Sequence, residues 1–130
     1  MSRIKREISR SMKDVAGAGG VLSARFVFPE EFVGFQGHFP EKKILPGVCQ
    51  IQCVLSLLEE HGKRPVLLRE AVLVKFFHPV LPQEDILCTC RDVQDGNEEF
   101  TVKAVFVRGE QKVSELKLRV RYGERGPGRR

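Results

Sequence analysis

The length and composition of the sequence are those of a single globular domain. Its 130 residues are 42% hydrophobic and 30% charged, which excludes a disordered chain and allows a core without disulfide or metal support. The net charge of +5 lies at the ends, because residues 1–13 contribute +4 and residues 121–130 contribute +3, which leaves −2 for residues 14–120. Because residues 14–120 carry no basic stripe, we do not expect the protein to bind nucleic acid.

The sequence also lacks the signals of a membrane or secreted protein. It has no run of about 18 apolar residues and no apolar signal core near its start, so we expect no membrane span and a cytoplasmic location. The four cysteines, Cys49, Cys53, Cys88 and Cys90, form no CxxC pair. We interpret them as small buried hydrophobic residues, with a metal site as the alternative, and predict no cofactor.

The first part of the chain predicts a basic lead-in, one strand and a long loop. Residues 1–20 are polar and basic and end in a glycine-rich break, so we predict a loosely ordered segment. Residues 21–28 predict a strand that ends at Pro29. Residues 30–45 form a loop rich in Gly, Pro and Phe, and loops of this length without regular structure are usually functional or disordered.

A hydrophobic helix follows this loop. Pro46 suits a helix start, where its missing N–H would have no partner in any case. Residues 47–58 carry no charge and are apolar on every side, which is typical of a helix buried inside a protein. Gly62 is the predicted C-cap, and His61 is interpreted as a helix-end residue favoured by the helix dipole.

Four strands, joined mostly by hairpins, are predicted after the helix. Asp95-Gly96 and Gly109-Glu110 are the turn signals, and the predicted strands cover residues 66–80, 86–93, 99–108 and 112–122. This order predicts an α+β fold in which an antiparallel sheet wraps around one long central helix. Residues 21–122 would form that domain, and residues 123–130 a disordered basic tail.

Two segments carry a resemblance to a known family. The first runs from Gly37-His38-Phe39-Pro40 through Pro46-Gly47-Val48 to Gln52, and the second reads KFFHPVLP over residues 75–82. They resemble the GHFPxxPxxPGVxxxE and KFxxPVxPGD segments of hotdog-fold 3-hydroxyacyl-[acyl-carrier-protein] dehydratases, which include FabA/FabZ-like and aryl-polyene dehydratase-like proteins. The resemblance covers about residues 21–122. It implies a hotdog fold, without the N-terminal helix that is typical of one branch.

The resemblance also implies roles for individual residues. His38 would be the base that removes the proton α to the carbonyl, and the N–H groups of Gly47 and Val48 would polarise the thioester carbonyl. Phe39 and Pro46 would help to bind the substrate.

Gln52 departs from the family pattern at one position. It lies fourteen residues after His38, where the family has a carboxylate. A glutamine can orient a water molecule but cannot deliver a proton at neutral pH, so we expect weakened catalysis. A plain core glutamine is the alternative interpretation.

The implied substrate is a 3-hydroxyacyl thioester of an acyl carrier protein or of CoA, used in fatty-acid or related acyl-chain biosynthesis. In such proteins the histidine and the helix position come from different protomers, so the resemblance implies a homodimer or higher oligomer with its site at the dimer interface. Two other functions remain open at this point: an acyl thioesterase, and a non-catalytic subunit that binds an acyl carrier.

Four further residues around these motifs have two interpretations or depart from the pattern. His78, before Pro79 at a strand end, is interpreted as structural. Lys42 and Lys43 flank the mouth of the site, where they would meet an acidic carrier protein or simply be solvated. Lys43 and Glu41 also stand where the family has proline and glycine, so we expect a different conformation of this loop.

Overall fold

A computed structural model describes residues 2–36 and 42–124. These residues form two α-helices, α1 (Arg3–Ser11) and α2 (Gly47–Gly62), and a 3₁₀ turn at Val33–Phe35. The strands are β1 (Met12–Ala18), β2 (Val21–Val27), β3 (Val66–Phe76), β4 (Asp85–Arg91), β5 (Phe100–Arg108) and β6 (Gln111–Tyr122). Neither helix in this part of the chain is long and apolar enough to cross a membrane.

The strands form one antiparallel sheet in the order β1-β2-β4-β5-β6-β3. Helix α2 packs against this sheet, and alternate residues of β5 and β6 supply much of the core: Phe100, Val102, Ala104, Phe106, Leu116, Leu118, Val120 and Tyr122. A period of two residues places these side chains on one face of the sheet. The predicted α+β hotdog architecture is therefore confirmed.

Seven of the sixteen residues of helix α2 are buried, all of them within residues 47–58, the stretch whose lack of charge predicts burial. Cys53, Val54, Leu57 and Leu58 are fully buried. The helix ends one residue later than predicted, because Lys63 and not Gly62 adopts the left-handed cap, with a φ of 55°. Gly62 has a packing role instead: a Cβ at this position would lie 2.7 Å from Cε1 of Tyr122.

The N-terminal segment differs from two predictions, its loose order and the absence of an N-terminal helix. Residues 3–11 form a helix, and residues 12–18 form a strand that pairs with β2, so the sheet begins at residue 12 and not at residue 21. Helix α1 shows no clear apolar face in the sequence, because Ile8 is its one fully buried residue. Strand β1 shows no strand pattern in the sequence, because its side chains are mostly exposed. Its place in the sheet depends on backbone pairing. Beyond Tyr122 the structure describes only residues 123 and 124.

A cluster of phenylalanines gives the segment after β2 a compact structure. The rings of Phe28 and Phe32 lie 4.7 Å apart, and Phe35 packs edge-on against Phe32 at 5.4 Å. Helix α1 ties down the same segment, because Oε1 of Glu7 accepts the N–H of Val33 at 2.9 Å. That hydrogen bond, with the Arg3 guanidinium, lowers the pKa of the Glu7 carboxyl. The chain is thus anchored up to Gln36, immediately before the GHFP motif.

Strand β3 forms one edge of the sheet and is exposed on both faces. After Val66 most of its residues are exposed, including Leu67, Leu68 and Val72 at 41–42%. Two of its three charged residues form ion pairs, Arg69 with Glu99 at 3.2 Å and Glu70 with Arg119 at 2.7 Å. The strand therefore presents a long, largely apolar edge, which is typical of a pairing surface.

Candidate functional site

The start of α2 leaves two backbone donors without an acceptor in the part of the chain that the structure describes. Pro46 is the N-cap, and its carbonyl accepts the N–H groups of Cys49 at 3.0 Å and Gln50 at 3.3 Å. The N–H groups of Gly47 and Val48 have no acceptor within residues 2–36 and 42–124. Because the first N–H groups of a helix lie at the positive end of its dipole, these two donors favour a negatively polarised oxygen.

A cavity of about 350 Å³ opens at this helix start. Its walls are mostly apolar, with two polar side chains among them, and comprise Ile44, Leu45, Pro46, Gly47, Gln50, Phe76, Phe77, His78 and Pro79. One wall is the helix start with the residues before it, and the other is the segment after β3. The N–H of Leu45 joins them by donating to the carbonyl of Val80 at 2.8 Å. Of the predicted site residues, the structure therefore brings Pro46 and Gly47 together at one cavity.

The segment after β3 forms the second wall. The strand ends at Phe76 and not at residue 80 as predicted, because the N–H groups of Phe77 and His78 both turn to the carbonyl of Val113, at 2.8 and 3.3 Å. This turn directs the KFFHPV segment toward the helix start. His78, interpreted as structural from the sequence, is exposed and lies in the cavity wall.

Gln52 does not line this cavity. Its side chain is half-buried, and its Nε2 donates to Oγ of the buried Ser56 at 3.0 Å, one helical turn further on. The 3.6-residue period places Gln52 on the same side of α2 as Val48 and Ser56, and Val48 is 73% exposed. Within one protomer the structure therefore separates Gln52 from the wall formed by Gly47 and Pro46. His38 and Phe39 lie outside the residues that the structure describes.

Gln50 is a polar cavity residue that sequence reasoning missed. It is only 2% exposed, and its Oε1 accepts a hydrogen bond from Oγ of Ser114 on β6 at 2.5 Å. A signal was available in the sequence, because a buried amide in an uncharged helix needs a partner or a ligand. The family motif drew attention to position 52 instead.

The four cysteines lie in the core, between α2 and the sheet. Cys88 and Cys90 project from the same side of β4, with their sulfur atoms 3.9 Å apart. Burial raises the pKa of the Cys49 thiol to about 11 and raises that of Cys53 well above its usual value. All four are free and buried, and they pack as small hydrophobic groups. Across residues 2–36 and 42–124, no group of three or more His, Cys, Asp or Glu side chains is arranged to hold a metal ion.

Other residues singled out in the sequence lie away from the cavity. His61 is near the end of α2, with its Nε2 3.1 Å from Oδ1 of Asp95. Lys43 is exposed, and its Nζ lies 3.8 Å from the carboxylate of Glu30. Lys42 is exposed as well. None of these lies in the cavity wall.

The chain is similar to known proteins in sequence and in fold. The model of a family described as "ApeI-like: ApeI dehydratase" matches residues 15–117. A curated relative, the 3-hydroxyacyl-[acyl-carrier-protein] dehydratase FabZ of Syntrophobacter fumaroxidans, is 26% identical over 85% of this chain and 94% of its own length.

Solved structures show the same fold at low sequence identity. The dehydratase heterocomplex ApeI:P from Xenorhabdus doucetiae contains a chain that is 19% identical, with a TM-score of 0.72 over 85% of this chain and 96% of that one. The PaaI protein of the Escherichia coli phenylacetic acid degradation operon is 10% identical, with a TM-score of 0.65 over 90% and 88% of the two chains.

Proposed function

Because the chain belongs to the ApeI-like dehydratase family, we propose that it binds 3-hydroxyacyl thioesters of an acyl carrier protein or CoA in the cytoplasm and removes water from them. The pathway would be fatty-acid or related acyl-chain biosynthesis. The observation that carries the proposal is the helix start, where the N–H groups of Gly47 and Val48 lack an acceptor among the described residues, next to a largely apolar cavity. Such donors suit a thioester carbonyl, whose oxygen gains negative charge as the α-proton leaves.

The proposed reaction assigns the proton transfers as follows. His38 removes the proton from C2, the electron pair forms the C2–C3 double bond, and the bond from C3 to the hydroxyl oxygen breaks. The departing hydroxyl must gain a proton to leave as water. A histidine is suited to the first step at neutral pH, and Pro46 with Phe39 would hold the acyl thioester beside it.

Gln52 limits the last proton transfer. An amide cannot supply the proton, so it must come from protonated His38 or through a water molecule that Gln52 orients. General acid catalysis contributes roughly 10²–10⁴-fold to a rate. We therefore propose a dehydratase that is slower than relatives with a carboxylate at this position.

We further propose that the functional unit is a homodimer or a higher oligomer built on it, paired along β3. The exposed apolar edge of that strand, with Leu68 and Val72 uncovered in a single protomer, supports this assembly. A partner would also cover the side of α2 that carries Val48, which is 73% exposed, and Gln52. In that arrangement Gln52 of one protomer would complete the cavity of the other.

A non-catalytic subunit that binds an acyl carrier is the second candidate. The observation that favours it is again Gln52, because its amide is already engaged with Ser56 at 3.0 Å and offers no acid. The same exposed β3 edge would then pair with a different, active hotdog chain. A chain of similar fold belongs to a dehydratase heterocomplex, ApeI:P.

One assay separates these functions. The purified protein is incubated with crotonyl-pantetheine and, separately, with 3-hydroxybutyryl-pantetheine, while absorbance follows the enoyl thioester and a thiol reagent follows free pantetheine. Slow, reversible interconversion that His38→Ala abolishes supports the dehydratase. Release of thiol indicates a thioesterase and contradicts the proposal, whereas binding without turnover supports the non-catalytic subunit.

A further inference from the structure

Gln50 is the buried amide whose role the family motif leaves unassigned. It lies one turn into α2, is 2% exposed and borders the cavity at the helix start. An amide in such a place costs free energy unless its polar atoms find partners. One partner is present, because the Ser114 hydroxyl on β6 donates to Oε1 at 2.5 Å.

The hydrogen bond from Ser114 fixes which end of the amide remains available. With Oε1 engaged by a hydroxyl donor, the amino group Nε2 is the end left for the cavity. Nε2 has no partner in the described part of the chain. Among the described residues, Tyr122 Oη is the one side-chain polar atom that is both fully buried and unpaired, so the unpaired Nε2 is not fully buried. Nε2 of Gln50 is therefore a preoriented donor at the cavity surface.

Gln50 and Gly47 lie on the same side of α2. Residues three apart on a helix are neighbours, about 5–6 Å between their Cβ positions, and both residues line the same cavity. The backbone N–H of Gly47 and the side-chain N–H of Gln50 can thus approach one oxygen atom from two directions. A carbonyl oxygen has two lone pairs and accepts two such hydrogen bonds.

We propose that Nε2 of Gln50 donates a hydrogen bond to the carbonyl oxygen of an acyl thioester in this cavity, beside the N–H of Gly47, and that Ser114 is the positioning residue that holds the amide. The inference rests on the proposed function only in requiring that an acyl thioester binds. It makes Gln50 a specificity-determining residue, because a ligand without an acceptor at this point leaves a buried donor unpaired.

The test compares two ligands that differ only at the oxygen. Butyryl-pantetheine carries the thioester carbonyl, and S-butyl-pantetheine has a methylene in its place, so neither ligand can be dehydrated or hydrated. Dissociation constants are measured by titration calorimetry for the wild type and for a Gln50→Met/Ser114→Ala variant, which removes both hydrogen-bonding partners together. We expect the variant to bind the thioester about fivefold more weakly, the worth of one ordinary hydrogen bond, and to bind the thioether no more weakly than the wild type does.

Three further variants guard against a purely structural effect. Gln50→Glu keeps an acceptor for Ser114 but replaces the donor with a carboxylate, so it should weaken thioester binding at least as much as the double variant while leaving thioether binding unchanged. Ser114→Ala alone should weaken binding of the thioester only, and Ser114→Thr, which retains a hydroxyl, should restore it. Thermal unfolding of each variant shows that the compared proteins are folded.

The outcomes separate this inference from the proposed function. Equal weakening for both ligands, or no weakening for either, overturns the role of Gln50 while acyl-thioester binding stands. Failure of the folded wild type to bind butyryl-pantetheine overturns acyl-thioester binding itself, and the inference with it. Absence of turnover in the dehydration assay, with binding retained, contradicts only the catalytic part of the proposed function.

Discussion

Gly47 and Phe76 are in such close contact that no side chain fits between them: a Cβ built on Gly47 would lie 2.5 Å from Cζ of Phe76 and 2.7 Å from its Cε2. The contact joins the first residue of α2 to the last residue of β3, across the cavity mouth. Phe76 is 48% exposed, so its ring is able to move. Glycine at position 47 therefore matters more for the shape of the cavity than for the stability of the fold.

Gly47→Ala should weaken ligand binding without unfolding the protein. Alanine has the higher helix propensity, but its methyl group displaces the Phe76 ring into the cavity mouth. We expect the dissociation constant for butyryl-pantetheine to rise about tenfold, within the range of overpacking effects. Gly96→Ala is the matched control, because a Cβ there meets nothing within 4 Å. If Gly47→Ala still causes the full loss in a Phe76→Leu background, the contact with Phe76 is not the reason.

Substitution on the β3 edge should change the oligomeric state. Val72 and Val15 are exposed to a similar extent, 42% and 45%, but they lie on the opposite edge strands β3 and β1. Val72→Lys buries an unpaired charge if β3 strands pair, whereas Val15→Lys does not. Light scattering after size exclusion should give a multiple of the 14.8 kDa protomer for the wild type and Val15→Lys, and the protomer mass for Val72→Lys. The reverse pattern would place the interface on β1.

The fold could be predicted from the sequence wherever side-chain periodicity reports burial. The alternation of apolar residues along β5 and β6 predicts the sheet, and the lack of charge in residues 47–58 predicts its central helix. Strand β1 could not be predicted, since its exposed side chains show no alternation and only its backbone pairing with β2 places it. For α1, the single fully buried residue Ile8 is too little signal against a basic, polar background.

The candidate site could be predicted only in part. The PGV motif located the helix start correctly, because the backbone donors there depend on the local chain. The partner of Gln50 could not be predicted, since it is Ser114, on a strand 64 residues away. The two glutamines are two positions apart and therefore lie on different sides of α2, a difference that decides their roles and appears only once the helix is packed.

Buried thiols should make the protein less stable in alkaline solution. Burial raises the pKa of Cys49 from 9.0 to about 11, so the folded state retains the thiol proton more tightly than the unfolded state. The stabilising effect of the buried Cys49 thiol is complete below pH 9 and is lost as the pH rises from 9 to 11. Cys49→Ala should show a smaller decrease in the free energy of unfolding over this interval, measured by urea titration under reducing conditions. Parallel curves for the two proteins would contradict this account.

The sharpest test of the proposed chemistry is Gln52→Glu, which restores the carboxylate that the family pattern has at this position. Because the side chain is half-buried and next to the Ser56 hydroxyl, a glutamate can accept the hydrogen bond that Ser56 then donates, and the helix should tolerate it. We expect the hydration rate of crotonyl-pantetheine to rise by about 10²-fold, the lower range for general acid catalysis.

Two controls decide whether that gain reflects the proposed site. Gln94→Glu introduces the same charge at an exposed position outside the cavity and should leave the rate unchanged. Gln52→Glu combined with His38→Ala should be inactive, because the new acid has no base with which to act. An unchanged rate in folded Gln52→Glu, beside an already fast wild type, would show that position 52 does not limit the reaction. The exposed side of α2 would then require another explanation.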